Sequence, residues 1–247
     1  MDLTKTRYRT IDVLRGLAIV FMVAYHITWD LVHIHGVAWP WFTGHGGWMV
    51  QRSIRWMFVL ISGFCFLMGK HPVKRGLITL GCGAVVTLVT LLVLPEHPIH
   101  FGILTFLGSA MVLSAAGKPI LKKCNPYAGF FLCLLLFLLT QDAESERLTF
   151  CGRELVRLPA WLYSNLFTAY LGFPGMAFSS SDYVPLIPWL FSFWMGYFAY
   201  RIVEKRRWQG LLTTVSCKPL EWLGRHSLII YLAHQPVIYG VLCLAFL

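Results

Sequence analysis

Charge is what this sequence has least of. Lys, Arg, Asp and Glu make up 13% of its 247 residues, where a soluble domain carries about 25%. Acidic residues are scarcest, eleven against twenty-one basic ones. A soluble globular domain is therefore excluded, and so is an acidic interaction tail. The seven cysteines, at 65, 82, 124, 133, 151, 217 and 243, include no CxxC pair. That pattern supports neither a disulfide framework nor a zinc site. Internal repeats and low-complexity tracts are missing. The first apolar run lacks a small-residue cleavage site, so it reads as an uncleaved span and not a signal peptide.

What is abundant is apolar sequence, 57% of the chain. A bilayer core of about 30 Å needs roughly 20 apolar residues per helix. Seven segments are candidates: Ile11–Val32, Trp48–Met68, Gly76–Leu94, Ile99–Ala116, Tyr127–Thr140, Val184–Ile202 and Ser227–Phe246. The fifth is short and has room to begin near Lys123. Leu158–Phe178 is aromatic but broken by Gly172, Pro174 and Gly175, and it reads as non-spanning; counting it would give eight spans. The expectation is an all-α polytopic bundle of about seven spans, a single transmembrane domain over residues 1–247.

The net charge of +10 is spread over loops, which argues for membrane topology and against nucleic acid. Lys5, Arg7 and Arg9 precede the first span. Lys70, Lys74 and Arg75 separate the second and third, and Lys118, Lys122 and Lys123 the fourth and fifth. Arg201, Lys205, Arg206, Arg207, Lys218 and Arg225 lie between the sixth and seventh. All fall on one side of a seven-span chain. The other side has Arg147, Arg153 and Arg157 among four acidic residues. The positive-inside rule makes the N-terminus cytoplasmic and the C-terminus external.

Arg15 and His26, eleven residues apart in the first span, project from one helix face, with Asp12, Asp30 and His33 on the same stripe. Ionisable residues at membrane depth are costly and read as a functional line; the alternative is ion pairing that fixes helix packing, as Asp12 and Arg15 could do at i, i+3. Asp30, four residues after His26, is placed to accept a hydrogen bond from the imidazole and make it a better general base. Arg52 and Arg55 share a face of the second span, with Ser62 two turns further on. They suit a clamp for an anionic or polyhydroxyl substrate, or snorkelling to headgroups. The loop HIHGVAWPWFTGHGGW gathers His33, His35, His45 and three tryptophans at spacings that do not suit a metal. Those tryptophans suit a sugar platform or the membrane interface. Asp182 is placed to cap the sixth span, and His234-Gln235, central in the last span, should face the bundle interior.

The segment IDVLRGLAIVFMVAYH resembles the opening of the transmembrane acyltransferases, whose first span carries Arg, ten residues, then His. VLISGF, FGILTFLG, DYVPLIPWLFSFWMG and LGRHSLIIYLAHQP resemble the branch named after the catalytic domain of heparan-α-glucosaminide N-acetyltransferase. The likeness runs in order along the chain. It implies an integral membrane enzyme, in a bacterial inner membrane, that moves an acetyl group from cytoplasmic acetyl-CoA to a glycan or amino-sugar acceptor across the bilayer. His26 would deprotonate the acceptor hydroxyl or amine, or take the acetyl group itself, with Asp30 beside it. In the lysosomal branch the position of His26 resembles an asparagine and the histidine comes just after the span, which keeps His35 as the second candidate. Arg15 and Asp12, with His234 and Gln235, are expected at the acetyl-CoA site. Arg52, Arg55, Asp182 and Ser62 are expected at the acceptor site. No metal, no further cofactor and no nucleic-acid partner is expected; a homo-oligomer stays open. The competing reading is a proton-coupled transporter or channel for a small polar solute. A third, a b-type haem protein, would need facing histidines such as His26 and His234.

Overall fold

The computed structural model describes residues 8–246 and is mostly helical. Lys5 and Arg7 of the basic N-terminus lie outside the described residues. The helices in chain order are α1 (Arg9–His33), α2 (Pro40–Thr43), α3 (His45–Cys65), α4 (Pro72–Val93), α5 (Ile103–Ala116), α6 (Lys118–Lys123), α7 (Pro126–Thr140), α8 (Leu166–Leu171), α9 (Leu186–Lys205), α10 (Lys218–Arg225) and α11 (Ser227–Ala245). Among the described residues, five stretches are long and apolar enough to cross a membrane: α1, α3 with the short 3₁₀ turn that follows it, α4, α7 with its extension, and α11. On α4 the exposed residues Leu77, Val85, Leu88 and Leu92 form a stripe of apolar side chains. Such a stripe suits contact with lipid.

Local sequence sets most boundaries. Pro72 and Pro126 stand in first turns, where a missing N–H costs nothing. The Asn125 side chain accepts from Tyr127 N and caps α7. This cap separates α7 from α6, so the fifth apolar segment does not extend back to Lys123. The α5 helix starts at Ile103 and not at Ile99, because residues 98–102 are tied to the loop before α9. His100 N donates to Ser180 Oγ at 3.0 Å and Ser181 N to Pro98 O at 3.0 Å.

The expectation of an all-α chain needs one correction. Strands β1 (Arg147–Phe150) and β2 (Arg153–Arg157) form an antiparallel hairpin. Its two-residue turn, Cys151-Gly152, has positive φ at both positions, the backbone that tight hairpins favour. Leu158–Phe178 holds a 3₁₀ turn and the six-residue α8, too short to span.

The chain forms two compact units. Residues 1–61 and 203–247 make the first, residues 62–202 the second. The second has an aromatic core in which Phe137 meets Trp189 edge-on at 5.4 Å and Phe66 meets Phe193 at 5.9 Å. At one of its ends Arg201 donates to the carbonyls of Leu121 and Cys124, closing the end of α6. In the first unit, Ile19 and Met22 of α1, Ile54 of α3 and the flanking Val50, Phe58, Ile230 and Tyr231 form one apolar cluster. Three helices thereby hold a fixed frame for the polar residues one turn further along.

Candidate active site

In the first unit α1 and α11 run in the same direction. Successive contacts step upward together: Ile19 and Met22 with Ile230 and Tyr231, His26 with His234, Asp30 with Gln235, and His35 with Phe246. The lower end of α1 is crossed by α10. A Cβ at Gly16 would sit 2.0 Å from Leu220 O, and one at Gly224 1.9 Å from Asp12 O. Only glycine permits this backbone-to-backbone approach.

Two histidines meet at the level of the α1–α11 contact. The rings of His26 and His234 are edge to face, with centroids 4.6 Å apart. His26 Nδ1 donates to the Met22 carbonyl at 2.9 Å, and His234 Nδ1 donates to the Tyr231 carbonyl. A carbonyl oxygen only accepts, so both rings carry hydrogen on Nδ1 and use Nε2 for exchange. One turn above, Gln235 Nε2 donates to Asp30 Oδ1 at 2.8 Å, and Asp30 is fully buried.

Asp30 therefore pairs with a residue of another helix. The expected hydrogen bond between Asp30 and His26 is not formed: His26 Nδ1 serves the main chain of its own helix, and Asp30 accepts from Gln235 instead. Asp30 nonetheless acts electrostatically on both His26 and His35. Asp30 Oδ2, Gln235 Oε1 and His35 Nε2 are buried and make no hydrogen bond among the described residues. Buried oxygens of this kind carry a desolvation cost unless a donor meets them. The His35 ring stacks on Phe246 at 4.3 Å, just past the end of α1.

The other expected residues divide. Arg15 pairs with Asp12 at 3.8 Å and stays partly exposed, about three turns of α1 below His26. Arg52 lies over the Trp48 ring at 5.2 Å, and Arg55 is half-buried on the same helix. His33 stacks on Trp29 and His45 on Trp48, so neither joins the histidine pair. Among the described residues no group of three His, Cys, Asp or Glu is arranged to hold a metal ion. Ser62 and Asp182 belong to the second unit. There Asp182 Oδ2 accepts from Ile103 N at 3.3 Å. It meets the start of α5, and it stands four residues before α9 begins at Leu186, outside the cap position, which corrects the expected cap.

Sequence reasoning did not find the α10 crossing, nor the direct bond of Gln235 to Asp30. Gly16, directly after Arg15, was the available signal for the first. The central position of a polar pair in an apolar helix was the signal for the second.

The family described as "Heparan-alpha-glucosaminide N-acetyltransferase, catalytic" matches residues 7–236. The chain belongs to that family. The match runs through both units and includes α1, α10 and the His234-Gln235 pair. Membership in the heparan-α-glucosaminide N-acetyltransferase family, together with five membrane-length helices, makes this a membrane protein of acetyltransferase type. Neither the curated proteins nor the solved structures contain a match.

Proposed function

We propose that the protein is a membrane-embedded acetyltransferase that takes an acetyl group from cytoplasmic acetyl-CoA and gives it to a hydroxyl or amine of a glycan-type acceptor on the far side. The carrying observation is the buried centre on α1 and α11, where His26 and His234 touch and Asp30 and Gln235 are bonded one turn above. His26, with Nδ1 fixed by Met22 O, presents Nε2 as the base that takes the acceptor's proton. The orphan oxygens Asp30 Oδ2 and Gln235 Oε1 are acceptors for the donor hydrogens of that same hydroxyl or amine. His35 stands beside them as the second candidate base.

Arg15, about 16 Å from His26 along the helix, is placed for the CoA phosphates, with Asp12 holding its guanidinium. The thioester would then reach the level of His234 and Gln235. Arg52 and Arg55, on α3, are proposed for acceptor contacts.

The topology reading supports this direction of transfer. Parallel α1 and α11 put the two ends of the described chain at opposite ends of the first unit, as an odd number of crossings requires. Counting α5 and α9 with the five long apolar helices gives the seven spans of this reading, and the basic loops argue for a cytoplasmic N-terminus. Residues 1–247 act as one domain in this reading, in a bacterial inner membrane.

The test is release of CoA thiol by purified protein in proteoliposomes, with acetyl-CoA outside and either a glucosamine oligomer or a hydroxyl-only oligosaccharide as acceptor. Acceptor-dependent thiol release is expected with one of them. Solute flux without any thiol release would move the protein to the transporter class.

A further inference from the structure

Acetyl transfer from a thioester expels a thiolate, and a thiolate leaving into a mostly buried centre needs a proton. Resting on the acetyltransferase reading, we propose that His234 is the general acid that protonates the departing CoA sulfur, and that His26 re-supplies it across the ring contact. Three features carry this. Both rings have Nδ1 committed to a main-chain carbonyl of their own helix, which leaves Nε2 as the exchanging nitrogen in each. The rings are in contact at 4.6 Å on parallel helices, so a proton can pass directly or through one water. Asp30, fully buried, stands one turn from His26 on the same helix, so a carboxyl lies close to the ring that gains the proton.

The proton inventory closes. In the ready state the pair holds one exchangeable proton, on His234 Nε2. As the acceptor oxygen or nitrogen bonds to the acetyl carbon, its proton goes to His26 Nε2. The carbon–sulfur bond breaks, and the sulfur takes the proton of His234. The products are acetylated acceptor and CoA thiol. The pair again holds one proton, now on His26, and its return to His234 completes the cycle. No metal, oxidant or reductant is needed.

The groups around the pair are few. On α1 they are Tyr25 and Asp30, and beyond its end His35. On α11 they are Tyr231, Gln235, Tyr239 and Cys243. From α3 the cluster receives the apolar Val50, Ile54 and Phe58, and that helix carries Arg52 and Arg55 as its charges. A general base and a general acid acting in one step give a rate profile with an acid and an alkaline limb.

The experiment measures the pH profile of kcat for thiol release in wild type and in the full-length variants His234→Gln and His234→Asn, with acetyl-CoA and the acceptor probe that wild type uses. In both variants the proposal expects kcat to fall about 10²-fold, the alkaline limb to vanish and the acid limb to persist, with acetyl-CoA affinity within a factor of two or so of wild type. A purely structural role lowers the rate evenly and leaves both limbs in place; that result, or an unchanged rate, overturns the proposal. If neither variant is monodisperse in detergent, the wild-type profile decides, and a rate flat on the alkaline side overturns it. Wild type that transfers no acetyl group to either probe defeats the acetyltransferase reading itself, an outcome distinct from wild type that transfers while its His234 variants keep both limbs.

Discussion

Gln235 of α11 donates its side-chain N–H to the buried carboxyl of Asp30 on α1 at 2.8 Å. No donor within α1 takes that place, although His26 lies one turn away. The bond couples the centre's carboxyl to a helix that is distant in sequence, so it holds helix position and side-chain orientation together. Removing the amide leaves a buried carboxyl without its donor, which typically costs about 1–3 kcal/mol. Gln235→Leu should therefore lower thermal stability in detergent by that amount and reduce acetyl transfer more than acetyl-CoA binding. Unchanged melting and turnover together would show that the bond carries neither role.

His26→Ala should abolish acetyl transfer while acetyl-CoA still binds, since the proposed role is proton abstraction. Loss of a positioned base costs roughly 10²–10⁴-fold in rate. His35→Ala is the paired measurement. A dead His35→Ala enzyme beside an active His26→Ala enzyme would move the base to the residue that stacks on Phe246.

Arg15→Ala should weaken acetyl-CoA binding tenfold or more, read by calorimetry or thermal shift. A charge-assisted hydrogen bond contributes about 1.5–3 kcal/mol. Equal affinity in wild type and variant would leave Arg15 as the ion-pair partner of Asp12 and nothing else.

The α1–α10 crossing makes a sharper structural claim. A methyl group at Gly16 or Gly224 meets main-chain oxygen at 2.0 or 1.9 Å, which side-chain motion cannot relieve. Each Gly→Ala change should cost at least the roughly 1–3 kcal/mol of an overpacked core. Gly81→Ala on α4, where nothing lies within 4 Å, is the control and should hold or raise the melting temperature. Three equal melting temperatures would mean that the crossing is looser than described.

Just before α10, the Ser216 hydroxyl donates to Glu221 of that helix at 2.6 Å and holds its carboxyl below the usual value, with Arg9 and Arg225 adding to the effect. A depressed carboxyl contributes stability above its unfolded pKa, about 4.3, and that contribution is lost as pH falls through the folded value. The melting difference between wild type and Ser216→Ala should be positive at neutral pH and shrink on acidification below that range. A difference that grows on acidification would contradict the assignment.

Much of the fold was legible because one-dimensional signals controlled it. Apolar length located α1, α3, α4 and α11, and Pro126 with Asn125 marks where α7 starts. The inward-facing reading of His234 and Gln235 followed from the cost of polar groups against lipid. What was not legible depended on tertiary choice. Asp30 had a sequence-local partner at i−4, yet the main-chain carbonyl of Met22 claimed His26 Nδ1 and a distant amide claimed Asp30. Asp182 stood before its own helix but reached the first N–H of α5. The β1–β2 hairpin was hidden in a polar stretch with no long alternation to announce it.

The parallel pairing of α1 and α11 has a consequence for biosynthesis. Asp30 and Gln235 are separated by 205 positions, so at about 5–20 residues per second the ribosome needs roughly 10–40 s to supply the second half of the pair. During that interval α1 carries His26 and a carboxyl into the membrane without their partners. The Asp30–Gln235 bond and the His26–His234 contact thus come into being only when the last helix arrives.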